Sequence, residues 1–352
     1  MIIRTEKPNI RGFSKDQLKA FFVEKGEKPF RADQVYQWVW QKSAASFQDM
    51  TNLPKDLRLF LENHFQIHQL KIASSQRSKD GTIKIAFELH DGKFVEGVLI
   101  PANDRMTACI SSQVGCSLDC KFCATARLKM MRNLTPDEIY DQVVAINKLA
   151  LETYGQPLTN IVYMGMGEPL LNYKHVMTSI HMITSPEGLG MSPRRITLST
   201  SGVAKMIRKL GDDQVKFNLA LSLHVANNEK RTRLMSINES NPLEELADAL
   251  KYFNEKTGTR VTYEYIIFRD FNDDIQDARE LAEFCKHIPC KVNIIEYNPI
   301  DDGFFQQASK PKTDAFIRYL ESKGIIVNVR RSRGKDIDAA CGQLANKVVQ
   351  QA

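Results

Sequence analysis

A chain of 352 residues, 43% hydrophobic and 26% charged, has the composition of an ordinary globular protein and can bury one large core or two smaller ones. No apolar run approaches bilayer length and the opening MIIRTEKPNI lacks a signal peptide's apolar stretch, so a cytoplasmic protein with no membrane partner is expected. Seven cysteines are then expected as thiols or metal ligands rather than as a disulfide framework, and a formal charge of +6 is by itself too mild to name a partner.

The first 68 residues read as a small helical module. Ser14 is a candidate N-cap for KDQLKAFFVEKG and Gly26 a candidate stop; a second helix is expected over 31–42 and a third over 54–64. Trp38 and Trp40 are expected to pack this module, while Arg31 in GEKPFRADQV is placed to meet a phosphate. Residues 69–101 change character. TIKIAFEL and FVEGVLI alternate apolar and polar on either side of Asp91-Gly92, the signature of a β-hairpin. Glu96 sits among apolar neighbours in the second strand, either facing outward or buried near chemistry.

From residue 102 to 334 strand and helix alternate. Strands are expected near 107–111, 160–165, 195–200, 216–223, 261–268, 291–296 and 325–330, with helices between them. Such alternation implies parallel strands joined by crossovers, and six units fall short of a complete eightfold barrel. An α/β fold with an incomplete (β/α)6-type barrel is therefore expected, preceded by the helical accessory domain and followed by a tail, 335–352.

Cys116, Cys120 and Cys123 lie in the loop after the first barrel strand, close enough in sequence to converge on one metal centre. Thiolates of this kind suit zinc completed by a distant fourth cysteine, or an iron–sulfur cube with one iron left open for a substrate. Polar motifs follow the later strands: Gly165-Met-Gly167-Glu168-Pro169, Ser199-Thr-Ser-Gly202, Ser222-Leu223-His224 and Tyr297-Asn298-Pro299. Each falls where barrel enzymes keep their chemistry, at the C-terminal ends of strands. Cys109 lies on the first strand and Cys341 in the polar tail, while Cys285 and Cys290 are read as packing residues. Two acid-free basic runs, one holding Lys121, Arg127, Lys129 and Arg132, the other Lys323, Arg330, Arg331, Arg333 and Lys335, favour a polyanionic substrate.

The strings GEKPFRADQV, SSQVGCSLDCKFC, MGMGEPLLN, LSTSGV, SLH, NP and RGKDIDAACGQLA resemble the RlmN family from about residue 14 to 347. That family consists of radical S-adenosylmethionine enzymes that methylate carbon-2 of an adenosine in 23S rRNA and in tRNA. The loop Ala124–Met131 departs from the family's glycine-containing form. The resemblance implies a 4Fe–4S cluster on Cys116, Cys120 and Cys123, and S-adenosylmethionine contacts at Gly167, Glu168, Ser199, Ser222, Leu223, His224 and Asn298. It further implies that Cys341 is methylated by one S-adenosylmethionine and turned into a methylene radical by a second, two per turnover. Cys109 would then resolve the RNA adduct through a disulfide with Cys341, and Glu96 is the family's proton acceptor; either Cys109 or Glu96 would take the ring proton. An electron donor of flavodoxin type is implied as a partner. Two rivals remain at this level: carbon-8 methylation of the same adenosine, as in the related Cfr enzymes, and a metal-containing RNA-binding module without a reaction.

Overall fold

The computed structural model describes residues 7–301 and 303–347. Three helices open the chain, α1 (Lys15–Glu24), α2 (Phe30–Trp40) and α3 (Lys55–His64). Ser14 and Gln17 satisfy each other's backbone N–H groups at the start of α1, and Gly26 takes φ +78° just past its end. These are the cap and stop expected of that segment.

The strands are β1 (Lys71–Arg77), β2 (Ile83–Glu88), β3 (Phe94–Ala102), β4 (Arg105–Cys109), β5 (Gln113–Val114), β6 (Arg132–Asn133), β7 (Asn160–Tyr163), β8 (Ile196–Thr200), β9 (Asn218–Ser222), β10 (Val261–Ile267), β11 (Cys290–Glu296) and β12 (Val327–Arg330). β5 and β6 form a small ribbon around the cysteine loop, and the other ten make one sheet in the order β1-β2-β3-β4-β7-β8-β9-β10-β11-β12. From β4 onward every pairing is parallel. The crossovers carry α4 (Pro136–Tyr154), α5 (Tyr173–Thr184), α6 (Ala204–Asp212), α7 (Asn228–Leu234) with α8 (Leu243–Thr257), α9 (Ile275–Phe284) and α10 (Lys310–Ser322). The sheet ends at β1 and β12 without pairing them, so it is the open, incomplete barrel that the alternation predicted.

The hairpin of β2 and β3 forms as expected, and it joins the barrel sheet directly: Val98 pairs with Cys109 across β3 and β4. β1 was not legible in the sequence. KIASSQR is mostly exposed and carries no two-residue apolar period, because an edge strand with little to bury needs none.

The helical module docks on α4. Arg11, 6% exposed, makes two hydrogen bonds to Asp141, at 2.7 Å and 2.6 Å, with its guanidinium 4.6 Å from the Trp40 ring centre. Tyr140 donates to the Trp40 carbonyl at 2.7 Å, its ring edge-on to the indole, and Asn9 donates to Asp137 at 2.8 Å. Trp40 therefore packs the seam between module and barrel.

Removing Asp141 strands a buried guanidinium. Asp141→Ala should lower stability by about 3 kcal/mol, while Asp141→Asn, which keeps one acceptor, should cost less. Urea unfolding followed by Trp fluorescence checks this; an unchanged midpoint in Asp141→Ala would mean that the pair does not hold the seam.

Candidate active site

Parallel pairing puts the C-terminal ends of all seven barrel strands on one rim, and one cavity opens there. Cys109, Cys116, Cys120, Cys123 and Cys341 all line it, together with Gly167, Glu168, Ser199, Ser222 and His224. Residues from the two ends of the barrel sequence thus meet. Leu223, Asn298 and Glu96 belong to the same region but not to the cavity wall.

The cysteine loop is held at both sides. Met131 and Leu134 donate backbone bonds to Val114 and Ser112, and Lys121 N–H donates to Leu234. Burial pushes the Cys116 thiol up to about 11, with the charge of Cys123 adding to it. Burial raises Cys120 further still, followed by the charges of Cys123 and Cys116. Thiols placed close to one another in this way release their protons when a cation takes them. No group of three or more His, Cys, Asp or Glu side chains among the described residues is gathered tightly enough for a single metal ion.

Glycine is required at 167. Its φ is +93°, and a Cβ would stand 2.5 Å from the Gln113 side chain. The next residue, Glu168, is buried; its carboxylate accepts from Leu170 N–H at 3.0 Å and from Ser201 N–H at 2.7 Å, which ties the end of β7 to the end of β8. Burial raises its pKa against those two bonds. Ser199 and Ser222 bring their hydroxyls within 3.3 Å of each other across β8 and β9. Leu223 turns its side chain into the core and offers backbone alone: its N–H donates to Glu264, and its carbonyl accepts from Arg231.

His224 occupies a left-handed conformation, φ +56°, held by Asn272 donating to its carbonyl at 2.7 Å. Its Nδ1 accepts the backbone N–H of Ile266 at 3.2 Å, so a neutral ring carries its proton on Nε2. Burial, reinforced by the positive charge of Arg231, lowers its pKa to about 3.

Two residues, Glu264 on the cavity wall and Arg231 behind it, were not singled out as cofactor or catalytic residues from sequence. Arg231 is completely buried on α7, and its donors go to the carbonyls of Leu223 (3.2 Å) and Ser201 (2.7 Å) and to Asn238 (2.9 Å). No acid among the described residues pairs with it, and burial lowers its pKa to about 10 with the Cys120 thiolate as the opposing charge. Glu264 sits buried mid-strand in VTYEYII, with Asn293 donating at 2.8 Å and Arg330 at 3.4 Å. An acid inside an otherwise apolar strand was a visible signal; nothing in NEKRTRL marks Arg231 as different from its surface neighbours.

Arg330 is thus no free phosphate contact. It faces Glu264 beneath the C-terminal tail, while Arg331 and Arg333 stay exposed at the cavity mouth. The first basic run is likewise reduced: Arg132 is engaged by Asp91 and Glu138, and Lys121 by Asp119.

Cys109 and Cys341 share the cavity, and burial pushes Cys109 up to about 12, with the Cys341 charge next. Cys341 keeps surface open to the cavity while being crowded by protein, so burial raises its thiol too and Arg330 opposes the rise. The disulfide between them that the family resemblance implied is not formed: all seven cysteines are free. Asn298 reaches the tail instead of the cavity, donating to the Cys341 carbonyl at 3.3 Å. Cys285 is buried in the core and Cys290 packs beside it, as expected of packing thiols.

Comparison with known proteins places the site in a family. Residues 8–67 match the family model of the ribosomal RNA large subunit methyltransferase N-terminal domain, and residues 110–284 match the radical SAM superfamily. A probable dual-specificity RNA methyltransferase RlmN of Christiangramia forsetii is 60% identical over 98% of this chain and 98% of its own. The protein of the same description from Bacillus subtilis is 42% identical over 98% and 95%. Among solved structures, a radical SAM methyltransferase from Sphaerobacter thermophilus superposes with a TM-score of 0.89 at 38% identity, over 96% of this chain and 99% of that one.

His224 should remain neutral across the working range of the protein. Nitrogen-15 imidazole spectra should show the Nε2–H tautomer from pH 8 down to pH 5 with no titration, because its pKa lies well below that window. A midpoint near the ordinary value of ~6.5 would show that the ring is solvated.

Proposed function

The chain belongs to the RlmN family of radical SAM RNA methyltransferases, and from that premise we propose that it methylates carbon-2 of an adenosine in 23S rRNA and in tRNA through a methylated Cys341. The observation that carries this reading is the meeting of Cys109 and Cys341 with the three loop cysteines in one cavity.

The donor set fits the groups that superfamily membership implies. Cys116, Cys120 and Cys123 would hold a 4Fe–4S cluster, and the unpaired cation of Arg231 beside Cys120 supplies a counter-charge for an anionic cluster. Glu168 would bind an ammonium, the backbone at Gly167 allows close approach, and the hydroxyls of Ser199 and Ser222 with the His224 Nε2–H supply hydrogen bonds for S-adenosylmethionine. When bound, cluster and S-adenosylmethionine supply the methyl group and the one-electron chemistry, with two S-adenosylmethionine molecules used per turnover.

The chain's own part is positioning and sulfur chemistry. Aromatic carbon-2 is a poor nucleophile, so the thiolate of Cys341 accepts the methyl first, as in ordinary nucleophilic catalysis. The positive charge of Arg330 favours that thiolate and offsets part of its burial. Once the carbon is joined to the base, the Cys109 thiolate attacks the Cys341 sulfur; an S–S bond forms as the C–S bond breaks, and the electron pair stays with the transferred carbon, which takes up a proton from solvent to become the methyl group. That Cys109 and Cys341 line the same cavity supports this reading. The buried walls exclude water, which would quench reactive carbon. RNA would meet Arg331 and Arg333 at the mouth, with a splayed base entering the cavity. An electron donor of flavodoxin type would complete the system.

Cys341→Ala should abolish 2-methyladenosine formation. Cys109→Ala should still methylate Cys341 and then retain RNA crosslinked to it. Nucleoside mass spectrometry and denaturing gels of the anaerobically reconstituted protein with 23S rRNA fragments and tRNA read both. Formation of 8-methyladenosine, or normal turnover in Cys109→Ala, would overturn this reading.

Arg331→Gln with Arg333→Gln should weaken RNA binding and flatten its salt slope by about 1 per lost phosphate contact, leaving Cys341 methylation intact. An unchanged slope would mean that RNA does not cross this face.

A further inference from the structure

Glu96 stands apart from the other proposed site residues. It shares a face of β3 with Val98 and Ile100, which line the cavity, but its own carboxylate does not reach the wall. The residue is 1% exposed and its carboxylate is committed elsewhere. Oε2 accepts the backbone N–H of Ala345 at 2.8 Å and that of Asn346 at 3.0 Å. Oε1 has no hydrogen-bond partner and lies 3.7 Å from the ammonium of Lys84, which is itself 5% exposed. The pairing of Ala86 with Glu96 and of Lys84 with Val98 sets these two charges diagonally on adjacent strands.

The carboxylate therefore grips the C-terminal tail just beyond Cys341. Asn346 adds a side-chain bond to the Phe94 carbonyl at 2.9 Å. On the other side, Ala124 N–H donates to the Gly342 carbonyl and the Thr125 hydroxyl to the Leu344 carbonyl, both at 2.7 Å, and Gln343 donates to Pro299 at 2.9 Å. These anchors are neutral, and the one further charged contact of this segment to a described residue outside the tail, Lys347 with Asp301 at 2.8 Å, lies at the exposed surface. Glu96 is the one buried side chain among the anchors that accepts two successive backbone N–H groups, with the Lys84 ammonium facing its other oxygen.

We infer that Glu96, with Lys84, is a positioning residue: a buried latch that docks the C-terminal tail and holds Cys341 at the cavity wall, and not the group that removes a proton from the substrate. The inference rests on Cys341 being the methyl carrier. It replaces the proton-acceptor role that resemblance assigns to Glu96, and leaves Cys109 as the titratable thiol facing both the carrier and the cavity.

Hydrogen–deuterium exchange of the full-length reconstituted protein tests the latch, alongside mass spectrometry of Cys341. Glu96→Ala should speed amide exchange over 340–346 by roughly tenfold or more, with the barrel strands unchanged. Methylation of Cys341 should fall with it. Glu96→Gln, which retains an oxygen able to accept both N–H groups, should restore most of the protection. Lys84→Met should loosen the tail to an intermediate degree. Wild-type exchange in Glu96→Ala would overturn the latch. So would a docked tail with normally methylated Cys341 and accumulating RNA adduct, the behaviour of a lost base. Should the unaltered protein fail to methylate Cys341, the carrier reading falls, and the exchange of residues 345 and 346 still upholds or refutes the grip of Glu96.

Discussion

The parallel ladder from β4 to β12 is the constraint on which the rest depends. In a parallel sheet all strand ends of one kind lie on one edge, so every loop that follows a strand is delivered to the same rim. Cysteine loop, Gly167-Glu168 turn, paired serines and His224 are far apart in the chain and adjacent in space for this reason. Side chains then lock the loops together. Glu168 joins the ends of β7 and β8, and Arg231 joins the ends of β8 and β9 by donating to both Ser201 and Leu223.

Charge burial follows a pattern across this rim. Arg231 is fully enclosed and satisfied by neutral acceptors, an expensive arrangement unless a negative group stands nearby. The thiols of Cys116 and Cys120, whose pKa values burial raises, supply that group once a cation ionises them. Cation and thiolates thus stabilise one another, and neither is well accommodated alone. The same logic operates beneath the tail, where Arg330 faces Glu264 on one side and the Cys341 and Cys109 thiols on the other.

Both chain ends return to the barrel. The helical module is held through Arg11 and Asp141 with Trp40 and Tyr140 packed beside them, so it keeps a definite orientation to the barrel. The tail is stitched to the cysteine loop, to the Asn298 turn and to Glu96. These bonds fix the place of Cys341 at the cavity wall, and a misplacement of about 1 Å can cost two orders of magnitude in a reaction between positioned groups.

Local patterns were legible in the amino-acid sequence because they are written in near neighbours. The capping residues of α1, the Asp91-Gly92 hairpin, the alternation of strand and helix, and the spacing of Cys116, Cys120 and Cys123 each span a few residues. The family-specific strings added the association of Cys341 with Cys109, which no local pattern carries. What only the tertiary structure decided depends on partners far away in the chain. Arg330 and Arg132 read as free basic residues until Glu264, Asp91 and Glu138 come beside them. Arg231 reads as a surface residue of a charged helix until the loops of β8 and β9 close over it. Glu96 had two open readings, outward or buried near chemistry, and the fold buries it against the tail, because β3 lies where residues 345 and 346 return. A charge has no fixed role in sequence; its surroundings assign one, and those surroundings are assembled only when the chain folds.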